Sequence, residues 1–378
     1  MTSSHPQLAA INAALATVMD PELGRPITEL KMVGDIVIDD PGQVSVTLLL
    51  TTSVCPLQER FTSDVEQAVM TVAGVNTVDV KVAIMDDEQR SQLRDQLGGA
   101  SAARPIPFAA EDNHTRVIAI ASGKGGVGKS SITVNLAVAL AGLGQRVGII
   151  DADVYGHSTP DLLGVPEGEG PTMIEGMNLI VPVEVAGIKL MSIGMMKPSR
   201  DQVVAWRGPV VDRAINQFLA DVYWGELDYL LLDLPPGTGD IAIGLGQKLP
   251  KAEVIVVTTP QQAATEVAER AGTMAGMLHQ PVLGVIENMS YLDYTCPDCG
   301  KTHRINLFGS GGGSAVAASL SERLGYTVPL LAQLPLEQAF RVAGDQGHPA
   351  TKDPQGSPVA QVITGLAGRL VAQGSPTN

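Results

Sequence analysis

The stretch SGKGGVGKSS, residues 122–131, carries residue types that bind phosphate. Its glycines allow successive backbone N–H groups to converge on phosphate oxygens at the start of a helix. The stretch matches the phosphate-loop pattern G-x-x-x-x-G-K-S/T, in which Lys129 neutralises the β- and γ-phosphates and the Ser130 hydroxyl ligates Mg²⁺. It also matches the dinucleotide pattern G-x-G-x-x-G, which gives no role to a lysine followed by a serine. We therefore predict a nucleoside triphosphate site that comprises Gly123, Lys124, Gly125, Gly126, Val127, Gly128, Lys129, Ser130 and Ser131.

Acidic residues end two further apolar strands. The segment YLLLDLPPGTGD, residues 229–240, places Asp233 at the carboxyl end of a strand, where an open α/β sheet holds Mg²⁺ through water. The PPGTGD turn that follows would sense the γ-phosphate. The segment IIDADVYG, residues 149–156, supplies Asp151 and Asp153 at another strand end. We predict that these two carboxylates polarise the attacking water or contact metal-bound water; a solvated turn is the alternative.

Cys296 and Cys299 have the C-x-x-C spacing of a metal knuckle, and they are two of only three cysteines in the chain. A redox pair is disfavoured because the segment has the composition of a loop and because Asp298 would oppose a thiolate. His303 would bring the ligands to three, which does not match the common closed zinc sets. Two cysteines from each of two chains would make a four-thiolate set, which suits zinc or a 4Fe–4S cluster alike.

The first 97 residues have the pattern of a small α/β domain. We predict helices over residues 6–19 and 57–74 and strands over residues 43–52 and 76–84. Cys55 lies between the first of these strands and the second helix. It is either buried and inert or, with a pKa lowered by the helix start, a transient ligand of a metal or cluster.

From residue 115 onward, apolar strands alternate with helices, which is the signature of a doubly wound, mostly parallel α/β sheet. The predicted strands are 116–122, 146–151, 188–194, 229–234, 253–259 and 281–288, and the clearest helices are 129–143, 209–223 and 261–278. Residues 98–114 have the small and proline-rich composition of a linker. We therefore predict domains at 1–97 and 115–372, with a short tail at 373–378.

Composition excludes several classes of function. A net charge of −15 argues against a nucleic-acid-binding protein, which needs a basic face. The chain has no apolar run of the roughly 18–20 residues that cross a membrane, and its first 20 residues lack the features of a signal peptide. An odd number of cysteines does not make a disulfide framework. We expect a reducing, cytoplasmic setting.

Lys124, directly after the first glycine of the loop, is a second lysine that ordinary phosphate loops lack. With it, GKGGVGKS resembles the deviant Walker A loop of MinD/ParA-like ATPases. Within that group the chain resembles the Mrp/ApbC family of iron–sulfur cluster carriers, and the resemblance covers about residues 10–97 and 115–345. It rests on the ordered segments SGKGGVGKSS, DADVYGHSTP, LLLDLPPGTGD, VTTPQQAA, ENMSYLDYTCPDCGKTHRINLFGSGGG and LPLEQAFR. The segments DPELGRPITEL and TTSVCPL resemble a SufT-like domain. His157 is a departure, because the family commonly has proline there.

The resemblance implies an ATP-hydrolysing carrier that transfers a 4Fe–4S cluster from cluster donors to apo-proteins. It implies a homodimer in which Cys296 and Cys299 of both chains hold the cluster and Lys124 reaches the partner's nucleotide. Asn288 and the segment around Pro335 would contact the adenine. The alternative is a MinD/ParA-like switch with protein or membrane partners, although a C-terminal segment with one basic residue, Arg369, is a weak lipid anchor. A dinucleotide-dependent reductase is disfavoured by Lys129 and Ser130.

Overall fold

The structure is a computed structural model, and the residues it describes fall in several ranges: 6–21, 25–38, 42–51, 58–86, 88–89, 92–93, 105–153, 156, 158–174, 179–196 and 208–374. Cys55, His157, residues 98–104 of the predicted linker and residues 375–378 of the predicted tail lie outside the described residues. The chain divides into two compact units. The first contains Met1–Arg104 and Thr172–Val181, and the second contains Pro105–Pro171 and Pro182–Asn378.

The secondary structure of the described residues is as follows. The strands are β1 (Val33–Ile38), β2 (Gln43–Leu50), β3 (Thr77–Ile84), β4 (Arg116–Ser122), β5 (Val147–Asp151), β6 (Thr172–Ile174), β7 (Leu179–Val181), β8 (Val183–Val185), β9 (Ile188–Ser192), β10 (Tyr229–Asp233), β11 (Glu253–Thr258), β12 (Val282–Glu287), β13 (Leu292–Thr295), β14 (Thr302–Ile305) and β15 (Leu330–Gln333). The α-helices are α1 (Pro6–Leu15), α2 (Gln58–Met70), α3 (Lys129–Gly142), α4 (Thr159–Leu163), α5 (Gly208–Ala220), α6 (Asp240–Lys248), α7 (Gln262–Met277), α8 (Gly312–Leu324), α9 (Gln338–Asp345) and α10 (Pro358–Gln373).

The first unit contains a three-stranded sheet in the order β1-β2-β3, with α1 and α2, and the antiparallel pair β6-β7. Strand β2 pairs antiparallel with β1 and parallel with β3, and α2 provides the crossover that a parallel pair needs. Alternate residues of β2 are buried, while α2 buries Phe61, Val65 and Val69 at a spacing of one helical turn. The two predicted strands and two predicted helices of this region are confirmed, the helices ending earlier than expected.

The second unit is built on an eight-stranded sheet in the order β15-β12-β11-β4-β10-β5-β9-β8. All neighbours pair in parallel except β8 and β9. Every residue of β4, β5, β10 and β11 is buried, so helices cover both faces of the sheet. All six predicted strands are confirmed within two residues of their expected ends, as is the predicted doubly wound α/β fold.

Helices α3 and α10 pack against each other over one face of this sheet. The apolar side of α10 is buried there through Val359, Ile363 and Leu366. Arg116, at the start of β4, forms a buried ion pair with Glu253 and donates to the carbonyl oxygen of Leu370 at 2.8 Å. These contacts fix the last helix against the sheet. No helix among the described residues is long and apolar enough to cross a membrane.

The order of the strands brings the predicted chemical residues to one edge of the sheet. Strand β10 lies between β4 and β5, and Asp233 at its end is in register with Ile120 and with Asp151. Because the three strands are parallel, the loop that follows β4 and the residues that follow β5 and β10 leave the sheet on the same side. The phosphate-loop residues and the strand-end carboxylates therefore meet there.

Candidate functional site

Glycines shape the loop between β4 and α3. Gly128 is the N-terminal capping residue of α3 with φ 84°, and Gly126 has φ 80°, both in the left-handed region that favours glycine. A Cβ atom on Gly128 would lie 2.2 Å from Nδ2 of Asn288, and one on Gly123 would lie 2.3 Å from the carbonyl carbon of Val267 in α7. Glycine at 126 allows the left-handed backbone conformation, and glycine at 123 allows close packing on α7. Glycine at 128 allows both the left-handed conformation and the close approach of Asn288.

A cleft of about 360 Å³ opens over this loop. That size lies within the roughly 300–1,000 Å³ typical of small-molecule sites. Its described lining residues are Ser122, Lys124, Gly125, Gly126, Val127, Gly128, Lys129, Ser130, Ser131, Asp153, Gly156, Ser158 and Pro236. The structure thus brings eight of the nine predicted loop residues into one cleft; the ninth, Gly123, packs on α7 instead. The lining also includes Asp153 and, from the PPGTGD turn, Pro236.

Lys129 lies at the centre of the charged groups of the cleft and is 6 % exposed. Its Nζ is 2.6 Å from Oδ1 of Asp233 and 3.7 Å from Oδ2 of Asp153. The same Nζ lies 3.4 Å from the Ser130 hydroxyl oxygen. An ammonium this deeply buried needs such partners, since an unpaired buried charge is strongly unfavourable.

The Asp233 carboxylate is fully buried and is hydrogen-bonded through both oxygens. Thr133, one turn after Lys129 in α3, donates to Oδ1 at 3.2 Å, and Thr159 of α4 donates to Oδ2 at 3.3 Å. Sequence analysis missed these two threonines. The position of Thr133, four residues after Lys129, is a signal that could have identified it; Thr159 has no such signal.

The two predicted aspartates after β5 have different environments. Asp151 is fully buried and accepts hydrogen bonds from the Ser192 hydroxyl at 2.9 Å and from the backbone N–H of Asp153 at 3.1 Å. Burial, followed by the negative charge of Asp233, raises the pKa of Asp151 to about 8. Asp153 lines the cleft and accepts from the backbone N–H of Gly156 at 2.9 Å. Asp151 therefore fixes the backbone of Asp153 through a hydrogen bond, and Asp153 is the aspartate of this pair that lines the cleft.

The donor set of the cleft fits a nucleotide phosphate with Mg²⁺. Backbone N–H groups of the loop and the Lys129 ammonium are suited to phosphate oxygens. The Ser130 hydroxyl lines the cleft, whereas the Asp233 carboxylate is buried against Lys129 and is not among the described lining residues. Both are oxygen ligands of the kind that Mg²⁺ prefers. When bound, the metal would neutralise charge that develops on the transferred phosphoryl group. These residues would hold the metal.

Asn288 and Pro335, predicted to contact adenine, lie near the loop but are not among the described residues that line the cleft. Asn288 is buried and its Nδ2 donates to the carbonyl oxygen of Val127 at 2.9 Å. Pro335 lies between two backbone hydrogen bonds, from Ser290 N–H to the Leu334 carbonyl and from Leu336 N–H to the Tyr291 carbonyl. The structure therefore brings the two predicted segments together, and Asn288 contacts the phosphate loop. Their contact with adenine stays a prediction.

The C-x-x-C pair lies in the turn of a two-stranded antiparallel hairpin formed by β13 and β14, which sequence analysis did not predict. The Cys296 N–H donates to the Lys301 carbonyl, and the Gly300 N–H donates to the Cys296 carbonyl, each at 2.9 Å. These bonds close the turn with Cys299 exposed and Cys296 partly exposed.

The pKa of the Cys296 thiol is lowered by the backbone N–H of Cys299, then by that of Asp298, and then by the Cys299 thiol. Asp298 thus contributes a backbone N–H group that stabilises the thiolate, which the sequence did not predict, while opposition by its carboxylate stays a prediction. His303 Nε2 lies 3.9 Å from the Cys299 sulfur. Among the described residues, no three His, Cys, Asp or Glu side chains are arranged to hold a metal ion. The role of Cys296 and Cys299 as metal or cluster ligands stays a prediction.

Lys124 at the edge of the cleft has a partner that sequence analysis missed. Its Nζ donates to Oε1 of Gln261 at 2.8 Å, and Gln261 directly precedes α7. The two residues are 137 positions apart in the chain, so no local pattern links them. Ser192, which supports Asp151, was missed for the same reason.

The phosphate-loop cleft and the cysteine hairpin agree with the families and proteins to which the sequence is similar. Residues 113–371 match the ParA family, described as "NUBPL iron-transfer P-loop NTPase", and residues 8–82 match a family described as "Iron-sulfur cluster assembly protein". The chain is 48% identical over 362 residues to the "Iron-sulfur cluster carrier protein" of Mycobacterium leprae, covering 96% of this chain and 92% of that protein. The chain belongs to the iron–sulfur cluster carrier family of P-loop NTPases.

Other relatives extend this assignment. The "Iron-sulfur cluster carrier protein" of Bacillus subtilis is 38% identical over 364 residues, which cover 96% of this chain and 97% of that carrier. A solved nucleotide-binding protein from Archaeoglobus fulgidus, in complex with ADP, has 34% identity and a TM-score of 0.54 over 69% of this chain and 96% of its own. The predicted membership of the cluster carrier family, with its additional N-terminal domain, is confirmed.

The pKa of Asp151 predicts how stability varies with pH in this carrier. Because the folded-state pKa, about 8, lies above the usual value of 3.8, folding favours the protonated carboxyl group. Stability is therefore lost as pH rises through that window, by up to about 1.4 kcal/mol per pH unit. Asp151→Asn, which is neutral throughout, should show a smaller fall in the free energy of unfolding between pH 5 and about 8, measured by urea denaturation.

Asp112→Asn, a substitution of an exposed aspartate, is the control and should follow the wild type. Equal pH dependence of the wild type and Asp151→Asn would show that Asp151 is ionised in the folded protein at neutral pH.

Proposed function

We propose that this protein binds and hydrolyses ATP in the cleft and carries an iron–sulfur cluster, its cargo, on the thiols of Cys296 and Cys299. The observation that carries the proposal is that one chain combines a phosphate-loop cleft with an exposed pair of thiols, one of which has a lowered pKa. Proteins named iron–sulfur cluster carriers are similar in sequence to this chain over most of its length. A MinD/ParA-like switch explains the cleft but gives no role to the thiols.

Each charged group of the cleft has a place in ATP hydrolysis. Lys129 binds the β- and γ-phosphates, while Ser130 and Asp233 hold Mg²⁺. Asp153 is the acidic side chain that lines the cleft, so it is the residue that orients and polarises the attacking water. Asp151 acts through Asp153, because its carboxylate accepts the Asp153 backbone N–H. Asn288 and Pro335 contact the base. The lining residue Pro236 lets the PPGTGD turn respond to the γ-phosphate.

Asp153→Asn tests the role of the carboxylate in hydrolysis. The amide oxygen can still accept the Gly156 N–H, so the turn should be preserved. Hydrolysis should fall on the order of 100-fold, as is typical when a general base is removed, while binding of a fluorescent ATP analogue persists. Asp112→Asn is the surface control. A hydrolysis rate equal to the wild type would exclude Asp153 from this role.

The ligand set of the cargo points to a homodimer. Two thiols per chain supply half of the four thiolates that a 4Fe–4S cluster takes. A second copy of the chain supplies the other half if the two hairpins meet about a symmetry axis, which is the commonest form of self-association. Such a site opens when the subunits separate, and the cluster can then pass to the cysteines of an apo-protein. We place this chemistry in the cytoplasm, where thiols stay reduced.

The cysteines are tested by anaerobic reconstitution with iron and sulfide, followed by metal analysis and determination of mass in solution. Wild type should bind about four iron atoms per pair of chains, and monomer fractions should bind none stably. Cys296→Ser and Cys299→Ser should each lose most of the cluster, whereas Thr295→Ser, an exposed substitution next to the pair, is the control and should retain it. Full cluster content in both hairpin variants would disprove the site, and zinc in place of iron would indicate a structural knuckle.

The hairpin has one apolar face on which two copies could meet. Opposed residues in the register of β13 and β14 share a face, so Leu292, Tyr294 and Ile305 lie together with His303. Tyr294 and Ile305 are exposed, at 46% and 39%, and the exposed Leu307 follows them. The opposite face carries two threonines and the Asp293–Arg304 ion pair. The cysteine pair lies in the turn at the end of both faces, so apolar contact there would surround the cluster.

Matched substitutions on the two faces test this arrangement. Ile305→Lys places a charge on the apolar face and should weaken the cluster-bound dimer at least about tenfold, which is about 1.4 kcal/mol. Thr302→Lys places the same charge on the polar face of the same strand and should have little effect. Light scattering over a range of protein concentrations measures the dimer, and iron content reports the cluster. Equal behaviour of the two variants would rule out the apolar face as the contact.

A further inference from the structure

Lys124 is held by its own chain in the structure. The Nζ–Oε1 distance to Gln261 is 2.8 Å, and both side chains are partly buried. Lys124 is the second residue of the loop after β4, and Gln261 is the N-terminal capping residue of α7. A lysine that serves a neighbouring subunit must first leave this hydrogen bond.

Packing of the loop against α7 keeps the two residues adjacent. Gly123 approaches the helix so closely that a Cβ atom there would lie 2.4 Å from the backbone nitrogen of Ala268. The Ser122 hydroxyl donates to the Lys124 carbonyl at 3.2 Å, which fixes the backbone of the lysine. On the other side, the Gln261 carbonyl accepts from the backbone N–H groups of Ala264 and Thr265. The contact therefore joins two backbone positions that the fold brings together.

We propose that Gln261 is a positioning residue that holds Lys124 on its own subunit and so limits how readily the second copy is bound in the presence of ATP. The inference rests on the proposed homodimer and on the resemblance to MinD/ParA-like ATPases, which implies that Lys124 reaches the partner's nucleotide. A glutamine amide offers the ammonium a partial charge only, whereas a triphosphate offers several full charges. The hold is thus strong enough to bias the free subunit and weak enough to be exchanged for phosphate.

The charge of the side chain at position 261 decides whether association becomes easier or harder. A purely structural role would not depend on that charge. Gln261→Ala removes the hold, so Lys124 is free and the ATP-dependent dimer should form at about tenfold lower protein concentration, the size expected for a hydrogen bond to a charged group. Gln261→Glu replaces the amide by a carboxylate and should raise the concentration needed by a similar factor. The Gln261 side chain makes no capping hydrogen bond to α7, so its removal should not destabilise the helix.

The adjacent Gln262→Ala is the control, because Gln262 is exposed and is the first residue of α7. Sedimentation velocity with a non-hydrolysable ATP analogue measures dimer formation for each variant. A fluorescent ATP analogue measures nucleotide affinity under dilute, monomeric conditions, where all variants should equal the wild type. In a Lys124→Ala background, Gln261→Ala should have no effect on association.

The outcomes separate the two proposals. The positioning role is overturned if Gln261→Ala behaves like Gln262→Ala, if Gln261→Ala and Gln261→Glu shift association in the same direction, or if the effect persists without Lys124. If the wild type itself fails to associate with the ATP analogue, there is no ATP-dependent dimer and the inference about Gln261 fails, whereas the cluster-bridged dimer is decided by the cysteine variants. A dimer that forms but ignores both Gln261 variants overturns only the positioning role.

Discussion

The buried ion pair between Lys129 and Asp233 fixes the phosphate loop against the sheet. It joins the first residue of α3 to the last residue of β10 across 2.6 Å, in a place where neither charge meets bulk water. Removing one partner would leave the other charge uncompensated, at a cost of about 3–5 kcal/mol. The pair is therefore a structural constraint, and the same two groups are the ones that we propose bind phosphate and metal.

The end of β12 connects this site with the cysteine hairpin. Asn288 donates to the loop carbonyl of Val127, and the next residues, Ser290 and Tyr291, form backbone hydrogen bonds with the segment around Pro335. Glu287, also buried, accepts from the N–H of Gly313 at the start of α8. Strand β13 begins directly after this hydrogen-bonded segment, and Cys296 follows the last residue of β13. Cys296 and Cys299 are thus only 8 and 11 residues from Asn288, which contacts the phosphate loop, and this would give a short physical path for coupling between nucleotide and cargo.

Sequence analysis predicted the contiguous parts of the site and missed the long-range ones. The phosphate loop is one unbroken segment, so the types and spacing of Lys129 and Ser130 determine its chemistry. The strand-end carboxylates could be placed because parallel strands leave a sheet on one side. Which aspartate faces the cleft could not be predicted, because Asp151 turns toward Ser192, 41 residues away on β9. The hairpin strands were missed because they are four residues long, exposed and partly polar, so they lack the apolar alternation that identifies a strand.

The two lysines of the loop differ in the charge of the groups that they contact, and this difference gives them different roles. Lys129 is buried between carboxylates, and burial makes that pairing obligatory, so its ammonium stays at the phosphate site whatever else changes. Lys124 lies at the rim, where a neutral amide is its partner and water can replace that amide at small cost. A carboxylate at Gln261 would give Lys124 the same permanence as Lys129. The amide holds the second lysine more weakly than a carboxylate would, as the proposed exchange of this contact for a phosphate requires.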